Sequence, residues 1–284
     1  MSNPLSLDVY VTPMRPVVGA PAQGPGDEPV WSPMSSTLIH GEHDAILVDT
    51  LVTFDQANVL ADWVDGFGKK VIAILIAHGH SDHWIGLQRL LQRFPGAKAL
   101  ARQAPQQRAQ FEATDPKTKK YWQSTFPGEI PDDPTVPAPL MEGGIDIEEQ
   151  RLEFIDIGQG DTEHSTVIHV PSIAAVVAGD VVYNQVHMLT VETDERSRQA
   201  WMHSLDRIAA LQPRIVVAGH KRVNAPDTPD NIGASKRYLA DFTRIAAERK
   251  TVEGIVNAML ALHGDRDNPY VVWLSARRAV ARRG

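Results

Sequence analysis

The sequence predicts an α/β protein. Three observations carry that reading: apolar β-branched runs about one strand long recur along the chain, helical spacing follows them, and turn-forming residues separate the two. The sharpest case is Val71-Ile72-Ala73-Ile74-Leu75-Ile76-Ala77, an uncharged run with the character of a buried strand. Trp84 to Phe94 follows with helical spacing and stops at Pro95-Gly96. Between them lies His78-Gly-His80-Ser-Asp82-His83, four metal-capable side chains in six residues.

Taken in order, Leu7 to Val11 alternates as a strand does, and Ser35–His40 and Ala45–Asp49 form a hairpin across Gly41-Glu42-His43-Asp44. Residues 13–33 hold six prolines and three glycines and read as an irregular loop. Phe54–Val64 is a helix ending at Gly66. Residues 103–124 are helical and run into the proline-rich stretch 127–139, together an inserted segment of about 103–140. Strands return at 145–147, 152–157, 166–170 and 174–178, and once more at 214–218. Helices are expected at 197–211, 229–248, 251–262 and 269–282. In the third of these, Val252, Ile255, Val256, Met259 and Leu260 form one apolar stripe, which is core patterning. The boundary drawn from this is a catalytic domain over 1–228, with a C-terminal helical segment, 229–284, packed on it.

Composition narrows the function classes. The 284 residues are 43% hydrophobic and 22% charged, as in an ordinary globular protein, and the net charge of −7 gives no basis for nucleic-acid binding. The arginines at 277, 278, 282 and 283 form a local basic tail, read as complementing the negative end of a last helix. Cysteine is absent, so metal binding falls to His, Asp and Glu. No run approaches the roughly 18 apolar residues of a membrane span. The N-terminus lacks a signal-peptide pattern, and a cytoplasmic location is the expectation.

Three later segments repeat the strand-end context of the His-rich turn: Gly158-Gln-Gly160-Asp161-Thr162-Glu163-His164-Ser165, Ala178-Gly179-Asp180 and Ala218-Gly219-His220. Each places small residues, then a ligand-capable side chain, after an apolar run, so the backbone can come close to an ion. With these residues in view the chain resembles the metallo-β-lactamase superfamily over about residues 35–225, and is most similar to its broad hydrolase branch. The resemblance implies an αββα sandwich. It also implies one zinc on His78, His80 and His164, a second on Asp82, His83 and His220, and Asp180 bridging both. Two carboxylates and five imidazoles would leave two Zn²⁺ with a charge near +2, and zinc would lower the pKa of a bridging water toward about 7.

The resemblance also places Asp49 behind the metal site, accepting a hydrogen bond from a ligand imidazole. Tyr183, three residues after Asp180, sits where the lactonase branch carries a Tyr that steadies the oxyanion. His187, Lys221, Trp31, Trp84 and Trp122 are candidate pocket residues, and the loops 13–33 and 127–139 are candidate walls. The other histidines, 40, 43, 169, 203 and 263, read as solvated or structural.

The function implied is a dinuclear zinc hydrolase that cleaves an ester or lactone carbonyl by attack of a metal-bridging hydroxide, with Asp82, Asp180 and Tyr183 as catalytic residues. The spacing of 16 residues from His164 to Asp180 departs from the lactonase branch, so acyl-homoserine lactones do not follow. Alternatives are a dioxygenase of the same fold with one Fe²⁺ acting on persulfides, a zinc hydrolase of β-lactams or phosphodiesters, and a metal-stabilised binding protein without turnover. The partner expected is a small-molecule substrate, not nucleic acid or membrane, and a homodimer through the C-terminal helices remains open.

Overall fold

The computed structural model describes residues 4–22, 24, 28–141 and 143–282; Arg283 of the basic tail lies outside them. Its strands are β1 (Ser6–Val11), β2 (Arg15–Pro16), β3 (Val30–Trp31), β4 (Ser35–His40), β5 (Asp44–Val48), β6 (Lys70–Ile76), β7 (Lys98–Ala101), β8 (Ala138–Pro139), β9 (Gly144–Ile147), β10 (Gln150–Gly158), β11 (Ser165–Val170), β12 (Ala175–Asn184) and β13 (Ile215–Lys221). The helices are α1 (Phe54–Asp65), α2 (Ser81–Trp84), α3 (Leu87–Arg93), α4 (Gln103–Thr114), α5 (Pro116–Thr125), α6 (Glu195–Ala210), α7 (Asp230–Glu248), α8 (Val252–His263) and α9 (Tyr270–Ala281). None of these helices is long and apolar enough to cross a membrane.

Two sheets form the centre of the molecule, one ordered β1-β4-β5-β6-β7-β8 and the other β13-β12-β11-β10-β9. Alternation along the strands produces the layers. On β5, Ile46 and Val48 point between the sheets, where they meet Leu75, Phe154, Ile168 and Val177. Ala45 and Leu47 point the other way, onto Leu60 and Val64 of α1 and Leu87 and Leu90 of α3. The outer face of the second sheet is covered by α6–α9, with Trp201, Leu205, Phe242, Val256 and Val272 in one apolar cluster. Helix, sheet, sheet, helix is the αββα sandwich expected from the sequence. The C-terminal helices share this core with β12 and β13.

Most predicted elements appear within a residue or two of their expected ends. The exceptions bear on the site. The expected strand 174–178 runs on to Asn184, and the strand 214–218 runs on to Lys221. Asp180 and His220 therefore lie within strands and not after them. They reach the site because the parallel β12–β13 register shifts at Val177/Gly179 and again before Tyr183. Gly179 at φ +51° makes that bulge. At Gly219 an added Cβ would overlap Asp180 Oδ1 and the Gly179 backbone, so only glycine lets the two strands approach here.

Candidate metal centre

Strand ends and bulges from both sheets converge at one edge of the sandwich. The turn after β6 brings in His78 and His80, with His80 standing at the start of α2, and α2 itself carries Asp82 and His83. Glu112 of α4 secures this turn by accepting hydrogen bonds from the Ser81 backbone N–H at 2.9 Å and its hydroxyl at 2.6 Å. The Trp84 indole donates to the Gly79 carbonyl at 2.9 Å, closing the turn from below. β12 supplies Asp180, β13 supplies His220, and the loop between β10 and β11 supplies Asp161.

Ligand-capable atoms fall within 4.8 Å of one another in three groups: His78, His80 and Asp161; His78, His83 and Asp180; Asp82, His83 and His220. His80 Nδ1 lies 3.0 Å from Asp161 Oδ2, and His78 Nε2 lies 3.8 Å from both Asp161 Oδ1 and Asp180 Oδ2. His220 Nε2 lies 3.5 Å from Asp82 Oδ2 and 3.3 Å from Asp180 Oδ2; His83 Nε2 lies 3.4 Å from Asp180 Oδ1. Asp180 thus lies within 4 Å of imidazoles from both sides, His78 on one and His83 and His220 on the other.

The tautomers are fixed from behind. His83 Nδ1 is 2.8 Å from Asp49 Oδ2, and Asp49 Oδ1 accepts the Ala77 N–H at 3.0 Å. His220 Nδ1 is 3.1 Å from the Pro33 carbonyl. Both rings donate from Nδ1 and leave the Nε2 lone pair for the centre. His80 is turned the other way: its Nε2 faces Glu192 at 3.3 Å, and its Nδ1 points inward. Glu192 is itself held by Arg108 at 2.7 Å and the Thr162 hydroxyl at 2.9 Å.

One residue differs from expectation. His164 is exposed and sits in the left-handed region at φ +60°, outside all three groups. Its place beside His78 and His80 is taken by Asp161, which is buried. The chain folds this way because Gly158 (φ +105°) bends out of the β10–β11 ladder, where the register slips between Asp156 and Gly158. The loop then turns Asp161 inward and His164 out to solvent.

These residues fit a metal. Both nitrogens of His78, His83 Nε2, both oxygens of Asp161 and Asp180 Oδ1 are buried with no hydrogen-bond partner. The carboxylate oxygens and the lone-pair nitrogens among them are acceptors that a bound cation would satisfy. The protonation tendencies agree. Burial pushes the Asp161 carboxyl up, and burial together with neighbouring His83 holds His78 well below the ordinary histidine range. Burial opposes the charge on His220, yet Asp180 and Asp82 outweigh it and raise the imidazole to about 10. Positive charge is what this cluster lacks. With three carboxylates in place of two, a pair of divalent ions here would keep one net positive charge.

Tyr183 lines the pocket, with its hydroxyl engaged by Asp180. Its side chain is 1% exposed, its hydroxyl donates to Asp180 Oδ2 at 3.1 Å, and its ring stacks on His220 with centroids 5.5 Å apart. It positions a carboxylate and an imidazole of the centre. Lys221, expected in the pocket, is 3% exposed and pairs with Asp227 at 2.6 Å, pointing away from the pocket lining. Trp84 is buried in the first sheet's outer layer, not in the pocket wall.

Above the centre opens a pocket of about 940 Å³ whose floor includes His80, Asp82, Asp161, Asp180 and His220. Trp31, Trp122 and His187 line it, as do Val17–Pro21 and Val30–Ser32 of the 13–33 loop. The loop 127–139 does not; its Ile130, Pro131 and Pro134 border a small separate crevice beside Trp84. The sequence reading missed α9 as a wall. Tyr270, Val271, Leu274, Arg277, Arg278 and Ala281 all line the pocket, one face of one helix. Two of the tail arginines thus face the pocket and are more than a helix-end charge. Asp161 also went unassigned, although its small-residue approach after a strand was the signal used for Asp180.

Among known proteins, the metallo-beta-lactamase superfamily profile matches residues 30–220. A metallo-beta-lactamase from Pontibacter korlensis superposes with a TM-score of 0.61 at 16% identity, covering 85% of this chain and 97% of that one. A metallo-beta-lactamase family protein from Thermus thermophilus does so with a TM-score of 0.61 at 18% identity, covering 97% and 94%. A metallo-beta-lactamase from Hirschia baltica gives 0.56 at 17% identity, covering 83% and 93%. At these identities the likeness speaks for the fold. No curated protein matches the sequence.

Proposed function

The chain belongs to the metallo-beta-lactamase superfamily, and from that premise we propose that it is a dinuclear metal hydrolase cleaving an ester or lactone carbonyl. One observation carries the reading: two ligand sets, His78/His80/Asp161 and Asp82/His83/His220, flank Asp180, whose oxygens lie 3.3–3.8 Å from His78, His83 and His220, at the floor of a pocket with mostly apolar walls. His78, His80 and Asp161 would hold one ion and Asp82, His83 and His220 the other, with Asp180 common to both. Divalent ions there supply Lewis acidity and lower the pKa of water toward about 7. The chain's own residues do the rest. Asp49, the Pro33 carbonyl and Glu192 keep three imidazoles in the required tautomers. Tyr183 holds Asp180 by a hydrogen bond, and Trp31 and Trp122, packed edge to face at 4.9 Å, exclude water from the pocket side.

Turnover of lactones or aryl esters that is lost on chelation and restored by zinc would support this; a zinc-loaded protein silent on both, with Asp180→Asn matching wild type, would overturn it. A second reading has its own support. His78, His80 and Asp161 form a two-histidine, one-carboxylate set, the arrangement of non-haem Fe²⁺ oxygenases. The complete second set favours two ions over one. Oxygen uptake with a persulfide by protein holding a single iron would decide for the dioxygenase.

A further inference from the structure

We propose that the substrate of this pocket is an elongated amphiphile: an apolar body carrying an anionic group, such as a carboxylate, well removed from the bond that is cleaved. The proposal deepens the hydrolase reading and rests on it for the location of that bond, but recognition of the anion is testable by itself.

Two helices outside the sheets build the walls. On α5, Lys117, Tyr121, Trp122 and Thr125 line the pocket at helical spacing; on α9, Tyr270, Val271, Leu274, Arg277 and Arg278 do the same. Along each helix the lining sorts by character. α9 is apolar through its first half and doubly cationic in its second. α5 has its cation in the first turn and its aromatic rings after it. Lys117, Arg277 and Arg278 are all exposed, so their charged ends reach water at the rim. Asp115, at the N-cap of α5, is the carboxylate that feels the charge of Lys117, and it is already engaged by the Thr118 backbone N–H and hydroxyl at 2.8 Å.

The acidic side chains of the lining are all committed elsewhere. Glu112 and Glu192 both pair with Arg108 at 2.7 Å, and Asp82, Asp161 and Asp180 belong to the metal centre. The rim is therefore positive in a protein whose net charge is −7. Because Asp161 replaces an imidazole, the centre itself attracts an anion less strongly than a two-carboxylate centre would, and the charge that recognises an acidic substrate sits on the helices. At about 940 Å³ the pocket lies near the top of the roughly 300–1,000 Å³ usual for small-molecule sites, too large for a bare small lactone. Apolar walls ending in a cationic rim fit a long acyl chain with a terminal anion.

The test compares two probes of equal length, the monoamide of octanedioic acid and its neutral diamide, by quenching of tryptophan fluorescence in metal-loaded protein. Trp31 and Trp122 in the wall report occupancy. The expected result is binding of the anion roughly three- to tenfold tighter than the neutral probe. That preference should shrink in about 0.5 M salt, where the Debye length falls to about 4 Å. It should vanish in the triple variant Lys117→Gln/Arg277→Gln/Arg278→Gln, which removes every rim cation named above. Equal binding of the two probes overturns the proposal. So does an anion preference that survives the triple variant, because the carboxylate would then be reading the metal centre. Failure of the protein to hydrolyse any ester sinks the hydrolase reading without touching this result.

Discussion

Asp49 touches no substrate, yet its replacement separates a structural role from control of the metal centre. Its two oxygens accept hydrogen bonds from His83 Nδ1 at 2.8 Å and the Ala77 N–H at 3.0 Å, in a site that is 2% exposed. Asp49→Ala leaves two buried donors without partners, each costing about 1–3 kcal/mol, so stability should fall by about 2–6 kcal/mol. That corresponds to a Tm lower by roughly 5–20 °C for a domain of this size. Asp49→Asn is more informative. Asp49 sits at φ +63°, a conformation asparagine tolerates, and the amide oxygen still accepts from Ala77. The amide nitrogen, however, presents a donor to His83 Nδ1. The ring must then accept there and carry its proton on Nε2, the atom that faces Asp180. We expect Asp49→Asn to keep most of the stability of wild type while binding the second metal ion about 10–100-fold more weakly. Thermal unfolding alongside chelator competition measures both quantities. Wild-type metal affinity in Asp49→Asn would refute the assignment of the His83 tautomer and of Nε2 as the ligand atom.

Other perturbations read other parts of the site. Tyr183→Phe keeps the ring on His220 but removes the hydrogen bond to Asp180, so kcat should fall roughly three- to tenfold with KM little changed, measured on whichever ester proves active. Glu112→Ala strips the acceptor from the Ser81 N–H and hydroxyl and from Arg108, and should destabilise the metal-free protein by about 2–4 kcal/mol in urea titration. His187 is buried against Tyr238, and burial holds its imidazole down at about 3, against an ordinary 6.5. The unfolded chain therefore binds the extra proton. The stabilisation is complete above pH 6.5 and is lost as pH falls toward 3. Tm measured across that window should fall less steeply in His187→Gln than in wild type.

Much of the centre was legible because it is local. The turn after β6 holds four ligand-capable residues in sequence, and a strand followed by a helix fixes where such a turn must lie. Asp49 was legible for a similar reason, as a carboxylate at the end of the neighbouring strand. Asp161 was not. It stands three residues from His164 in one loop, and which of the two turns inward is decided by the bulge at Gly158 and the left-handed turn at His164. Both are features of pairing between strands, beyond the reach of residue spacing. Strand length failed likewise: Gly179 and Gly219 look like strand ends, yet the parallel pairing of β12 and β13 continues past them. Tyr183 had a plausible role by position, but its hydroxyl reaches Asp180 only because the bulge brings the two side chains together. The pocket walls on α5 and α9 depend on helices far apart in sequence meeting over the site, and nothing in the arginines of the tail announces which way that helix faces.

The central claim is a two-ion centre in which Asp161, not His164, completes the first set. Counting metal per chain by elemental analysis, in wild type, Asp161→Ala and His164→Ala purified alike, tests it directly. Two ions in wild type and in His164→Ala, with one in Asp161→Ala, is the expected result. Two ions in Asp161→Ala, or one in His164→Ala, would contradict it.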